Sequence, residues 1–107
     1  MKVILTVKER IGVANLLPEQ GDITNLRQIR ALREDLAFTD EENDKWKIER
    51  ENMMIRWDEN LIEEVEKEFS DRMFKVVSRK LKELNKTHKL TEDMISLYEK
   101  FVEVLKK

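Results

Sequence analysis

The residues in this chain that could do chemistry are few in kind. His88 is the only histidine and there is no cysteine. A lone histidine in the turn Thr87-His88-Lys89 has no companion for a metal site or a catalytic triad. Two widely separated glycines cannot build a phosphate-cradling loop. Carboxylates abound, but they fall where helices begin and on charged faces, whereas a catalytic pair needs a pocket that perturbs its acidity. Glu63, Glu64, Glu66 and Glu68 read as a solvated edge. No catalytic residue, cofactor, metal ligand or small-molecule substrate is evident. Two clusters remain as binding candidates. Asp40, Glu41, Glu42 and Asp44 put four carboxylates within five positions, a patch suited to a protein partner. Arg27, Arg30 and Arg33 recur at i, i+3 and i+6, with Asn25 and Gln28 nearby, a spacing that can follow phosphates along one helix flank.

The chain that must position these groups has 107 residues, enough for one domain with its own core. Charged residues make up 41% of it, yet the net charge is only -2. Interspersed signs favour solubility and give no global attraction to nucleic acid or to an anionic membrane. No apolar run approaches the roughly 20 residues of a membrane span, and no signal-peptide pattern opens the chain. The expectation is a soluble, cytoplasmic protein with no membrane partner.

The organising stretch is 46–58, which holds both tryptophans. It reads as a β-hairpin turning at Glu51-Asn52, with Arg50 opposite Met53, Ile48 opposite Ile55 and Trp46 opposite Trp57. Strand side chains alternate, so Trp46, Ile48, Met53, Ile55 and Trp57 share an apolar side that helices must cover. Residues 1–5 are β-prone and could add to this sheet. Thr6 to Glu9 has capping-box form and opens a helix to about Leu17. Val7, Ile11, Val13, Ala14, Leu16 and Leu17 cover over half its circumference at about 100° per residue, which marks the central helix. Gly12 faces away from the middle of that arc. It reads most simply as a cost of about 1 kcal/mol relative to alanine, with a close helix approach as the alternative. Pro18 to Gly21 ends this helix. A second runs from Asp22 or Thr24 to Ala37, with Ile23, Leu26, Ile29, Leu32 and Leu36 as its stripe. Thr39 to Glu42 repeats the capping box ahead of a short third helix.

Ser70, followed by Asp71, starts the penultimate helix. Met73, Phe74, Val76, Val77, Leu81 and Leu84 fall in one arc; Asp71, Arg72, Lys75, Ser78, Arg79 and Lys82 fall opposite. Lys80 breaks the apolar arc, and snorkelling into water is preferred over pairing with Glu66. Val65, Lys67 and Phe69 alternate, so 59–69 contains either a short third strand or a separate helical turn. Thr91 opens the last helix, whose apolar half carries Met94, Ile95, Leu97, Tyr98, Phe101, Val102, Val104 and Leu105. That half is wider than one neighbour needs. A flank including Leu97 and Val104 is expected to meet the hairpin or a second copy of the chain, with a homodimer slightly preferred.

The fold class implied is α+β, mainly α: helix-loop-helix, short helix and hairpin over 1–58, then two antiparallel helices over 70–107, in a single domain. The order of the first half is that of a winged helix, which raises DNA binding through Arg27, Arg30 and Arg33. The third helix would then enter the groove, and its four carboxylates would be repelled. Nucleic acid therefore ranks behind a protein partner.

Several blocks together resemble short, functionally uncharacterised proteins of bacteriophages and prophages. They are Leu5-Thr6-Val7-Lys8-Glu9-Arg10, Leu16-Leu17-Pro18-Glu19-Gln20-Gly21-Asp22, Ala31-Leu32-Arg33-Glu34-Asp35-Leu36-Ala37-Phe38 with Asp40-Glu41-Glu42, Ile55-Arg56-Trp57-Asp58, and the stretch 89–102. The resemblance covers most of the chain. It implies a phage-linked setting in a bacterial cytoplasm and supports a hairpin, although relatives often carry a glycine where Glu51-Asn52 stands here. It brings no catalytic residues. The expected function is a non-enzymatic interaction protein, a homodimer or a modulator of a host or phage protein, with a winged-helix-like DNA-associated factor as the alternative.

Overall fold

The first four helices each begin where a short polar side chain takes up an orphan amide. A computed structural model describes residues 1–51, 54–57 and 63–103. Strand β1 (Lys2–Thr6) runs into α1 (Val7–Leu16) through Thr6, whose hydroxyl accepts from the Glu9 amide at 3.2 Å while Glu9 Oε1 accepts from the Thr6 amide at 3.0 Å. Asp22 caps α2 (Ile23–Leu36), Thr39 and Glu42 form a second reciprocal box on α3 (Asp40–Lys45), and Ser70 caps α4 (Asp71–Lys86). Thr91 makes no side-chain cap. The final segment starts as a 3-10 turn at Glu92–Met94 before α5 (Ile95–Phe101). The result is a mainly helical α+β fold with the expected order of helices and hairpin.

Residues 63–69 resolve in favour of a strand. β4 (Glu64–Glu68) pairs antiparallel with β1, Leu5 opposite Val65 and Val3 opposite Lys67. β1 therefore does not join the hairpin; β2 (Glu49–Glu51) and β3 (Met54–Arg56) form a separate two-stranded sheet. The choice of partner follows from burial. Val3 and Leu5 point into the main core while Ile4 faces out, and β4 leads directly into α4, which lines that core. β4 keeps Glu64, Glu66 and Glu68 on the solvent side.

The hairpin differs from the expected register. Glu49 faces Arg56, Arg50 faces Ile55 and Glu51 faces Met54, so residues 52 and 53, outside the described set, fall between the strands. Each pairing moves by two positions. Because side chains alternate with period two, Ile48, Ile55 and Trp57 keep their common side, whereas a slip of one would have turned them out. Met53 lies outside the described residues. Trp46 is not a strand residue opposite Trp57. It caps the C-terminus of α3, and Lys47, at φ 52°, turns the chain toward β2.

Two apolar clusters organise the interior, and α1 serves both. Val13 and Leu16 enter the larger one with Val3, Leu5, Ile29, Leu32, Leu36, Phe69, Phe74, Val77, Leu81, Leu97 and Phe101. Phe101 sits edge-on to Phe69 at 5.2 Å and tilted on Phe74 at 5.0 Å. Val7 and Ile11 turn the other way, onto Phe38, Trp46, Ile48, Ile55, Trp57 and Val65. Ile23, expected in the α2 stripe, is instead 63% exposed, since it opens the helix beyond the reach of its neighbours.

α5 lies in the groove between α1 and α4, and its expected outward flank turns inward. Leu97 is 1% exposed and Val102 is equally enclosed; neither touches the hairpin cluster or forms an outer surface. Val104 lies outside the described residues. The close approach of α5 is made at Gly12, where an added Cβ would lie 3.0 Å from Leu97 Cδ1. The close-approach role of Gly12 thus outweighs the simple propensity cost. Lys80 snorkels, half-exposed and 4.0 Å from Glu83 on its own helix rather than Glu66.

Replacing Gly12 by alanine sets a helix-propensity gain of about 1 kcal/mol against a methyl pressed on a fully enclosed leucine, an overpacking cost of about 1–3 kcal/mol. The expected outcome in urea unfolding is a net loss of about 1 kcal/mol, recovered in part by adding Leu97→Val. A Gly12→Ala chain more stable than the parent would show that Leu97 yields freely. Trp46→Ala is expected to cost about 3–5 kcal/mol, and Trp57→Ala distinctly less, because Trp57 is only half-buried.

Candidate functional site

The acidic candidates sit on α3, a helix of six residues, far below the length that holds itself in water. Its sequence helps where it can. Thr39 and Glu42 close the capping box, Asp40 and Glu41 add charge at the positive end of the helix dipole, and Lys45 stands at the other end. The remainder of its stability comes from Arg10 of α1. The Arg10 side chain is fully enclosed, and its Nη1 and Nη2 donate to the two oxygens of Glu42 at 2.7 and 3.2 Å. Nε and Nη2 also donate to the Leu36 carbonyl at 3.3 and 3.1 Å, and Nη2 to the Ala37 carbonyl at 2.9 Å. Those carbonyls end α2. The Phe38 ring lies 4.3 Å from the guanidinium carbon. One planar cation thus ties α1, the C-terminus of α2 and the first turn of α3 together, a geometry that suits a guanidinium and not an ammonium.

Glu42 therefore differs from its neighbours. It points inward, and the hydrogen bond from Arg10 holds its carboxyl below the usual carboxylate value, against a smaller upward push from burial. Asp40, Glu41 and Asp44 remain exposed on the outer side of α3. The last turn is fixed as well: Trp46 is 6% exposed, its indole Nε1 donates to Glu63 at 2.6 Å, and Lys45 pairs with the same carboxylate at 3.3 Å. Glu63 is thus an anchor for α3 and not part of a purely solvated edge.

Arg33 mirrors Arg10. Its Nη2 donates to the Leu17 carbonyl at 3.1 Å, so α2 supplies a cation to the C-terminus of α1 as α1 does to α2. That bond engages one nitrogen of Arg33, which stays exposed alongside Arg27 and Arg30. Asp35 of the same helix lies 3.9 Å from Lys67 of β4. Between the helix ends and the hairpin is a recess of about 370 Å³ lined by Ile11, Ala14, Phe38, Arg50 and Ile55 together with Arg10 and Arg33. Two of its three guanidiniums are already committed to carbonyls.

A second, partly buried charge pair involves Glu9, the residue just before Arg10 on α1. Lys100 of α5 donates to Glu9 Oε1 and to the Ile4 carbonyl, both at 2.7 Å. Burial pushes the Glu9 carboxyl up. The hydrogen bonds from Lys100 and the Thr6 amide, with Ser96 and the Lys100 charge, outweigh that push and leave it below its ordinary value. No hydrogen bond reaches Oε2 among the described residues. His88 is exposed in the turn after α4, in the left-handed region at φ 59°. Among the described residues, no cluster of three histidine, cysteine or acidic side chains is placed to hold a metal, and no helix is long and apolar enough to cross a membrane.

Arg10 and Glu9 were absent from the sequence-based candidates, yet a signal was present. At about 100° per residue Arg10 falls between Leu17 and Ala14, and Glu9 between Leu16 and Val13, both inside the apolar arc of α1. A charge inside such an arc is either snorkelling or paired, and for these two the structure shows pairing.

Arg10→Met is expected to lower stability by about 3–5 kcal/mol, because it strands Glu42 and three helix-end interactions. Arg10→Lys should recover only part, since an ammonium cannot span both carbonyls and the carboxylate. Glu9 and Glu42 have folded-state acidities strengthened below the reference value of 4.5. Their stabilisation is therefore complete above that value and is lost as pH falls from it through the lower folded values. Urea midpoints measured from pH 7 to pH 3 should drop steeply at the acid end, and Glu42→Gln should flatten that drop while lowering the neutral-pH plateau. An unchanged acid limb would show that Glu42 gains nothing from Arg10. Comparison of the chain with protein families, with curated proteins and with solved structures finds no match.

Proposed function

We propose that this chain is a non-catalytic interaction protein of bacteriophage or prophage type, which uses the outer face of α3 to modulate a host or phage protein. The observation that carries this is the split within the acidic cluster. Glu42 is drawn inward by Arg10, while Asp40, Glu41 and Asp44 stay exposed on a helix fixed at both ends. Charges held rigidly lose little freedom on binding, which favours their use in recognition. Met54, 63% exposed on the hairpin that follows, supplies an apolar contact of the kind that interface centres require. An acidic face cannot meet its own copy across a two-fold axis without opposing like charges. The partner that fits is therefore a basic surface on a different protein, and light scattering is expected to find the free chain monomeric.

A winged-helix mode is favoured by element order and by Arg27 and Arg30, which stay exposed on α2. It requires α3 in the groove, where Asp40, Glu41 and Asp44 would face phosphates, and this places it second.

The test is a neutral triple variant, Asp40→Asn with Glu41→Gln and Asp44→Asn. These side chains are exposed, so the melting temperature should change little. Tagged parent protein should retain a basic partner from host lysate in a salt-sensitive manner, and the triple variant should not. A partner held equally by both proteins would sink the acidic-face proposal. A parent dimer that persists in the triple variant would move the interface elsewhere.

A further inference from the structure

Helix α4 carries a second charged surface, opposite in sign. Arg72, Lys75, Arg79, Lys82 and Lys86 follow one another at spacings of three, four, three and four, and all five are exposed. At about 100° per residue they fall within an arc of about 80° that contains no anion; Asp71 and Glu83 lie just outside it. At about 1.5 Å per residue the stripe is roughly 21 Å long. The opposite side of α4, with Met73, Phe74, Val77 and Leu81, is buried in the core, so the stripe is held straight and faces away from the molecule.

Two further observations bear on the stripe. Several lysines elsewhere lie against carboxylates, namely Lys8 on Asp93, Lys45 on Glu63, Lys67 on Asp35, Lys80 on Glu83 and Lys100 on Glu9, although the exposed Lys2, Lys47 and Lys89 join no ion pair among the described residues. None of the five stripe residues joins one either, and Arg72 Nη1 donates to the Asn25 side-chain oxygen at 3.2 Å. In addition, each consecutive pair stands at i,i+3 or i,i+4, where like charges destabilise a helix. Four such pairs in succession weaken α4 and contribute nothing to the core.

We infer that the α4 stripe is a docking surface for the phosphate backbone of duplex nucleic acid, bound without regard to base sequence. Over roughly 21 Å of axis the two strands of a duplex together present about twelve phosphates, one per about 1.7 Å, enough to engage five cations where the stripe crosses the two backbones. The stripe arc holds no aromatic or aliphatic side chain, so it lacks the apolar anchor that a protein interface centres on. Insertion into a membrane is not available to it either, because the apolar side of α4 is already buried. The surface is distinct from α3, meets the α2 flank where Arg72 donates to Asn25, and leaves the proposed protein partner of α3 untouched.

The experiment is fluorescence anisotropy of a labelled duplex against the full chain over a salt series. With five contacts the slope of log K on log salt is expected near -4.5, so affinity should fall roughly 500-fold between about 50 and 200 mM salt and be weak, about 10⁻⁴ to 10⁻⁶ M, at physiological salt. Lys75→Gln with Lys82→Gln should reduce the slope by about two units, to a fall of about 40-fold over the same range. Its thermal stability should be unchanged or higher, because like-charge neighbours are removed. Arg27→Gln with Arg30→Gln should bind as the parent does. The proposal is overturned by absence of binding at about 50 mM salt, where five contacts must be detectable, or by a slope that responds to Arg27 and Arg30 rather than to Lys75 and Lys82. Equal competition by poly-glutamate at the same charge concentration overturns it in favour of an acidic protein. Strong discrimination between duplexes of unrelated sequence overturns the backbone-only mode.

Discussion

The guanidinium of Arg10 is the constraint on which the first half of the structure depends. It is buried, and a buried charge is tolerable only with full pairing. The chain satisfies it from three sources at once: the carboxylate of Glu42, the carbonyls that close α2, and the face of Phe38. None of these could be displaced without leaving the cation unmet. The same atoms resolve three other problems, since the end of α2 needs donors, the short α3 needs an attachment, and the capping box of Thr39 needs Glu42 held in place. The Arg33 bond to Leu17 performs the converse service for α1. The two helices therefore end on each other's cations, and the loop between them carries little of the burden.

This arrangement also decides which charges are available to the outside. Glu42, singled out by type and spacing, is absorbed into the fold, while Arg33 is tied to the end of α1 and stays exposed. Asp40, Glu41 and Asp44 on α3, and Arg27 and Arg30 on α2, are left at the surface. The two surfaces with unabsorbed charge, acidic on α3 and basic on α4, belong to rigid helices. A chain with a net charge of only -2 is thus locally polar in both senses, and its mean charge describes neither surface.

Features decided within a few residues were legible in the sequence. The capping boxes at Thr6 and Thr39, the caps at Asp22 and Ser70, and the alternation of Val65, Lys67 and Phe69 depend on neighbours three or fewer positions away. Features decided at long range were not. The hairpin register was missed because Glu51-Asn52 and the observed connection both leave Ile48, Ile55 and Trp57 on one side, so the apolar pattern cannot distinguish them. β1 joined β4 rather than the hairpin because Val3 and Leu5 complete a core shared with α1, α2, α4 and α5, and its α4 and α5 residues lie more than sixty positions away. The role of Gly12 depended on where Leu97 lands, and that of Leu97 on a groove formed by two other helices. Of the candidate site, the acidic cluster was visible and its division was not, because nothing near Glu42 in sequence announces Arg10.

The pairing of β1 with β4 has a consequence for how the chain reaches this structure. Leu5 meets Val65, and Lys100 reaches back across 96 positions to the Ile4 carbonyl. The contacts that seat the first strand therefore include several from the second half of the chain. Helices α1 to α3 and their arginine clamp involve only the first half and can assemble as that half leaves the ribosome, with Val13, Leu16, Ile29, Leu32 and Leu36 beside Val3 and Leu5, whereas the strand partner and the rest of the core wait for β4, α4 and α5. Non-local closure of this kind is slow relative to helix formation. The interval before it, when a β-prone strand lies open at the start of the chain, is the stage at which this protein is most exposed to aggregation and to chaperone capture.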